Sequence, residues 1–166
     1  MVTKKKYKAR KGASFSQENA QIYGECLDEI AKEKNGTVKP QDVVKEAKKK
    51  SSPLYGYFDW DDDSAGEKYR LHQARNLINS IIVVVKYDHK EKEQKAFYSV
   101  NESPNEEDVN KVYVTMERVM TEPELRKQVL ERALKEVEYW QQRYMDYNEL
   151  GKIFVAIKIT KKKLKK

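Results

Sequence analysis

The chain has 166 residues with a net charge of +7, and 39% of it is apolar, including 11 tyrosines. That is length for one domain with a buried core and an appendage, and too rich in core formers for a disordered chain. No apolar run approaches the roughly 20 residues of a membrane span, the basic start leads into no apolar signal segment, and a single Cys26 excludes an internal disulfide or a cysteine-based zinc site, so a reducing cytoplasm is the expected compartment.

The charge is concentrated at the ends. Residues 1–12 hold Lys4, Lys5, Lys6, Lys8, Arg10 and Lys11 without an acid, and residues 158–166 hold Lys158, Lys161, Lys162, Lys163, Lys165 and Lys166 likewise. Without these 12, the body has 22 basic and 27 acidic residues, net −5. Residues 1–13 therefore read as a basic disordered tail and residues 158–166 as a basic tail. Such tails either attract polyanions by counterion release or serve only as solubilising ends.

Between the tails, a first helix is expected from about Ser16 to Lys34, with Ile22, Cys26, Leu27 and Ile30 facing the core and Asn35-Gly36 as its stop. A second helix opens at Pro40, buries Val43, Val44 and Ala47, and ends before Ser51-Ser52-Pro53. A third follows the cluster Asp59, Asp61, Asp62, Asp63, with Ser64-Ala-Gly-Glu67 as a capping box. Its apolar side is Leu71, Ala74, Leu77, Ile78 and Ile81; its opposite side is Lys68, Tyr69, His72, Arg75, Asn76 and Asn79. Ile81 to Tyr87 then reads as a strand, Asp88 to Gln94 as a polar turn, and Lys95 to Val100 as the returning strand. After a loop around Pro104, Lys111 to Met116 is a third extended piece. Thr121-Glu-Pro-Glu124 forms a capping box for a last helix reaching about Leu150 or beyond. Its seam is Leu130, Ala133, Val137, Trp140, Tyr144, Tyr147 and Phe154, which would pack on the domain or on a partner.

The aspartate cluster fails as a calcium loop. With Asp59, Asp61 and Asp63 as ligand positions, the obligatory glycine is Ser64 and the bidentate glutamate is Arg70. Magnesium would need fewer carboxylates, but acids at a helix start are stabilised by its dipole with no metal, and that reading is preferred. Asp88, Glu93 and Lys95 have the residue types of a magnesium nuclease, yet they fall within one hairpin turn and read as solvated. His72 and His89 lie in different elements, and no nucleophile elbow, phosphate loop or dinucleotide motif is present. No enzyme, cofactor or metal is therefore expected.

Helix, short helix, helix and hairpin is the element order of a winged helix-turn-helix. On that reading the third helix is the recognition helix, offering Lys68, His72, Arg75, Asn76 and Asn79 to base edges and backbone. The hairpin tip, with Lys86, Lys90, Lys92 and Lys95, would contact phosphates.

Ser52-Pro53-Leu54, then Phe58-Asp59-Trp60-Asp61-Asp62, then Tyr69-Arg70-x-x-Gln73-Ala74-Arg75-x-Leu77-Ile78 resembles a pattern of small phage and prophage proteins. Tyr-Val-Thr at 113–115, Arg143-Tyr144 and Glu149-Leu150 are also similar, so the resemblance covers about residues 36–157. Gly66 departs from the alanine of that pattern. The resemblance implies a mobile-element origin and a bacterial cytoplasmic or virion-associated setting, with no activity attached.

The expected fold is α+β and mainly helical: a winged helix-turn-helix-like unit over residues 14–118 with a small antiparallel sheet, and a long C-terminal helix over 119–157. The expected function is a non-enzymatic nucleic-acid-binding accessory protein, DNA before RNA. Lys4, Lys5, Lys6, Lys161, Lys162 and Lys163 of the tails would supply most of the affinity. Leu130, Val137, Trp140, Tyr144 and Tyr147 would mediate homo-oligomerisation, and no membrane is involved. The alternative is a phage structural or host-interaction module that binds protein through the acidic body and the aromatic C-terminal helix.

Overall fold

Ser16 starts the first helix, its hydroxyl accepting from the Asn19 amide at 3.3 Å. In a computed structural model that describes residues 5–62, 66–87, 90–101 and 111–164, this helix, α1, spans Gln17–Glu33. It ends where Asn35 and Gly36 turn to positive φ and the Gly36 amide closes back on the Ala31 carbonyl at 2.6 Å. The chain is α+β and divides into two compact units after Val119.

In the first unit α1 follows strand β1 (Lys6–Ala9) and precedes β2 (Thr37–Val38), α2 (Pro40–Ala47), a 3₁₀ turn (Tyr55–Tyr57) and α3 (Glu67–Ser80). Next come β3 (Ile81–Tyr87), β4 (Lys90–Lys95), β5 (Phe97–Asn101) and β6 (Lys111–Thr115), and α4 (Met116–Thr121) reaches the boundary. The core gathers Tyr23, Leu27 and Ile30 of α1, Val43 and Ala47 of α2, Leu54 and Phe58, and Leu77 and Ile78 of α3. Cys26, Leu27 and Ile30 are buried as expected, whereas Ile22 is 47% exposed and Ala20 and Tyr23 complete the buried stripe.

Two antiparallel three-stranded sheets form, in the orders β1-β3-β4 and β2-β6-β5. The expected single hairpin is thus two. Residues 90–94, read as part of a polar turn, form with Lys95 a strand paired with β3, and the expected return strand divides at Ala96. The Ala96 amide donates to Ile81 O at 3.3 Å, and its carbonyl accepts from Met116 N at 3.0 Å, so one buried residue is bonded to the start of β3 and to the start of α4, just past β6.

The N-terminal segment is a further correction, because residues 6–9 of the expected disordered tail are β1. One edge of β1 pairs with β3, Tyr7 opposite Val83. The other edge is satisfied by two glutamines one turn apart on α1. Gln17 accepts from Ala9 N at 3.0 Å and donates to Ala9 O at 2.9 Å; Gln21 accepts from Tyr7 N at 2.8 Å and donates to Lys5 O at 2.9 Å. A strand with both edges bonded and Tyr7 in the core is ordered in spite of its charge.

The second unit holds α5 (Pro123–Arg143), a 3₁₀ turn (Asn148–Leu150) and α6 (Gly151–Leu164). The expected uninterrupted helix is broken at Tyr144–Tyr147, and α6 folds back on α5. Lys158–Lys163 of the basic C-terminal tail are helical, so the helix runs past the Ile159 limit expected for it. Glu122 rather than Thr121 is the N-cap of α5. The Ser64 cap, the Asp88 position and the Pro104 loop lie outside the described residues, while α3 begins at Glu67 with Gly66 as N-cap.

Gly24 of α1 is where the Tyr7 ring lies; a Cβ there would fall inside the ring's van der Waals reach. Gly24→Ala is expected to destabilise the first unit by about 1–3 kcal/mol through overpacking, read as a lower midpoint in chemical denaturation. Gly56→Ala, with open space at its Cβ, is the control and is expected to leave the midpoint close to wild type.

Candidate nucleic-acid interface

The stretch from Ser51 to Asp62 positions α3. Leu54 and Phe58 anchor it in the core. Trp60 stacks on Tyr55, ring centres 5.4 Å apart, and its indole N–H donates to the Tyr55 carbonyl at 2.8 Å. Asp59 does local work: its side chain accepts from Asp61 N at 3.0 Å, the geometry of an Asx turn. Its own amide donates to the side-chain carbonyl of Gln73 on α3 at 3.3 Å. Arg70 is buried; its Nη2 donates to Asp62 Oδ1 at 2.8 Å, and its guanidinium lies 5.7 Å from the Trp60 ring centre. The acidic cluster is thus tied to α3 by Arg70 and Gln73. Among the described residues no group of His, Cys, Asp and Glu could hold a metal ion, and no helix is long and apolar enough to cross a membrane.

With its inner side fixed in this way, α3 exposes Lys68, Tyr69, His72, Arg75 and Asn76 together. Tyr69 and His72 stack at 6.5 Å, and His72 and Asn76 share a 3.0 Å hydrogen bond. Asn79 is half-buried, its amide donating to the Arg75 carbonyl at 2.9 Å and to the Tyr113 hydroxyl of β6 at 3.2 Å. It braces α3 against the sheet.

The other lysines scatter. Lys4 lies outside the described residues. Lys5 bonds Asp28 at 2.7 Å and Glu117 at 3.0 Å, and Lys6 bonds Glu91 at 3.4 Å, beside a Lys8–Glu93 pair. Asp28 is nearly buried; burial pushes its carboxyl up, but hydrogen bonds from Lys5 and Lys32 outweigh this and hold it below its ordinary value. These N-terminal charges are neutralised within the domain. Lys90 and Lys92 are exposed on β4. In the second unit Lys161 pairs with Glu138, and Lys162 and Lys163 are exposed on α6.

The aromatic seam also divides. Trp140 meets Tyr144 at 5.4 Å and Phe154 of α6 at 6.1 Å, and Tyr144 meets Tyr147 at 6.1 Å, so these rings close the α5–α6 hairpin. Leu130 and Val137 remain exposed and, with Ile153, Ile157 and Leu164, line an apolar groove of about 330 Å³.

Sequence reasoning missed a second concavity in the first unit. Phe15 and Asn19, Gly56 and Tyr57, and Tyr69 and His72 converge on a cleft of about 460 Å³. Phe15, Tyr23 and Tyr57 pack edge-on to one another at 5.3–5.9 Å, and Ser14 Oγ lies 3.1 Å from the Tyr57 hydroxyl. Burial pushes the Tyr23 and Tyr57 phenols up, so both are neutral. Three segments far apart in sequence build this cleft; the only local signal was the aromatic run from Tyr55 to Trp60.

Arg70→Ala removes the Asp62 ion pair and the contact over Trp60, and is expected to cost about 2 kcal/mol in chemical denaturation. Asp62→Asn, whose carboxylate is largely exposed, is expected to cost less than about 1 kcal/mol.

No protein-family model, no curated protein and no solved structure matches this chain.

Proposed function

We propose that the chain is a non-enzymatic nucleic-acid-binding accessory protein of phage or prophage origin, working in the bacterial cytoplasm or with the virion. Its first unit would act as a winged helix-turn-helix. The observation that supports this is connectivity: β2, between α1 and α2, pairs with β6, which pairs with β5, so α1-β2-α2-α3-β5-β6 has the strand order of a winged helix. On this reading the wing is β5–β6, and β3–β4 is an inserted hairpin. Residues 102–110, which join β5 to β6, carry Glu102, Glu106, Glu107 and Asp108 and no base. A phosphate backbone would therefore be met by Lys68 and Arg75 of α3 and by Lys90 and Lys92 of β4, and less by the wing. The five lysines of α6, unaccompanied by any acid on that helix, add a sequence-independent attraction. The phage origin rests on the motif from Ser52 to Ile78.

The test is fluorescence anisotropy with labelled DNA from about 50 to about 200 mM salt. Binding is expected to weaken steeply with salt, and Lys68→Ala with Arg75→Ala to weaken it about tenfold or more at fixed salt. Affinity unchanged in that double variant would remove α3 from the interface.

The exposed Leu130, Val137, Ile153 and Leu164 favour a second element of the reading, self-association. A two-helix hairpin leaves half of its apolar surface open, and a second copy would complete a four-helix bundle. Sedimentation is expected to show an oligomer that Val137→Glu with Ile153→Glu converts to a monomer. A monomeric wild-type chain at high concentration would refute it.

A further inference from the structure

The cleft between the start of α1, the 3₁₀ turn and α3 has the size of a small-ligand site, and its chemistry is selective. Among the described residues that line it there is no Asp, Glu, Lys or Arg. With His72 as its one titratable imidazole and no Lys or Arg in its described lining, the cleft favours a neutral group over a phosphate or carboxylate as the buried part of the ligand. A purely apolar group would strip water from the amides of Asn19 and Asn76 without replacing it. What fits is a neutral, planar group with hydrogen-bonding edges. Tyr69 and His72 offer stacked rings at the wall, Phe15 and Tyr57 offer ring edges, Asn19 brings a side-chain amide, and Asn76 brings the amide groups that its bond to His72 leaves open. Lys68 and Arg75 stand exposed within a turn of Tyr69 and His72, outside the cleft, where a phosphodiester attached to the buried group would run.

We infer that this cleft takes an unpaired nucleobase, a step that rests on the proposed binding of nucleic acid and names the part of the ligand that enters. In a fully paired duplex the base faces are occupied by stacking and the pairing edges by the opposite strand. Only a single-stranded, bulged or extruded base presents both a face for Tyr69 and an edge for the asparagines. The chain should therefore prefer nucleic acid with an unpaired base to the same sequence fully paired.

Two variants isolate the cleft. Gly56 lies at its rim, exposed, with open space where a Cβ would stand, so Gly56→Leu adds apolar bulk at the mouth of the cleft from a position where a Cβ meets no neighbour. Tyr69 is 49% exposed, so Tyr69→Ala removes a ring face with little effect on the core. Anisotropy would compare three labelled DNAs: a paired duplex, the duplex with one unpaired adenine, and that duplex with an abasic unit at the unpaired position. The wild-type chain is expected to bind the unpaired adenine about tenfold tighter than either control, the scale of one base–aromatic stack, and both variants are expected to lose that advantage while binding paired duplex as before. Equal binding of all three DNAs by the wild-type chain, or an advantage that both variants keep, overturns the assignment of the cleft and leaves nucleic-acid binding standing. A wild-type chain that binds none of the three overturns both. If Gly56→Leu and Tyr69→Ala instead abolish the anisotropy rise of a labelled tyrosine-containing peptide and leave the DNA series unchanged, the cleft belongs to a protein side chain and the inference falls.

Discussion

Ala96 is the residue on which the first unit turns. Its amide is bonded to Ile81, where α3 becomes β3, and its carbonyl to Met116, where β6 becomes α4. Because one residue serves both, the chain leaves the β1-β3-β4 sheet and enters the β2-β6-β5 sheet without a loop. Ala96 is buried, so neither bond can be exchanged for water without a desolvation penalty. That junction fixes where β6 runs, and β6 in turn holds Asn79 through the Tyr113 hydroxyl and receives β2. The outward face of α3 therefore depends on a hydrogen-bonded alanine that carries none of its chemistry.

Two further devices set which charges the surface retains. Gln17 and Gln21 act as a strand edge in side-chain form and draw β1 into the domain, where its lysines meet Glu91 and Glu93 and the preceding Lys5 meets Asp28 and Glu117. Arg70 draws Asp62 toward Trp60 and offsets part of the negative charge ahead of α3. Both reduce the long-range field that the bare sequence suggests. The cations left exposed on α3 and β4 are few and specifically placed, whereas those of α6 form a dense, unspecific set.

Much of the helical frame was legible. Ser16, Pro40 and Asn35-Gly36 act through local backbone chemistry, so α1 and α2 lie close to where those residues put them. The change of period at Ile81 marks the entry to β3 because apolar spacing reports directly on burial. β4 was not legible, because Lys-Glu-Lys-Glu-Gln-Lys has no apolar face; its strand character comes from pairing with β3. Nor was the break at Tyr144, since a helical hairpin keeps an apolar seam on its inner side just as one long helix does.

The sequence by itself determined where the first three helices lie, most of their apolar stripes, and that Lys68, Tyr69, His72, Arg75 and Asn76 share the outer side of α3. These properties follow from spacing within a dozen residues, where the backbone geometry is known in advance. Only the tertiary structure decided that the basic N-terminus is a neutralised strand, that the hairpin is two hairpins in two sheets, and that Phe15, Tyr57 and Tyr69 enclose one cleft. Each depends on which distant segments meet. Those meetings are set by edge hydrogen bonds and shape fit, neither of which leaves a periodic trace along the chain.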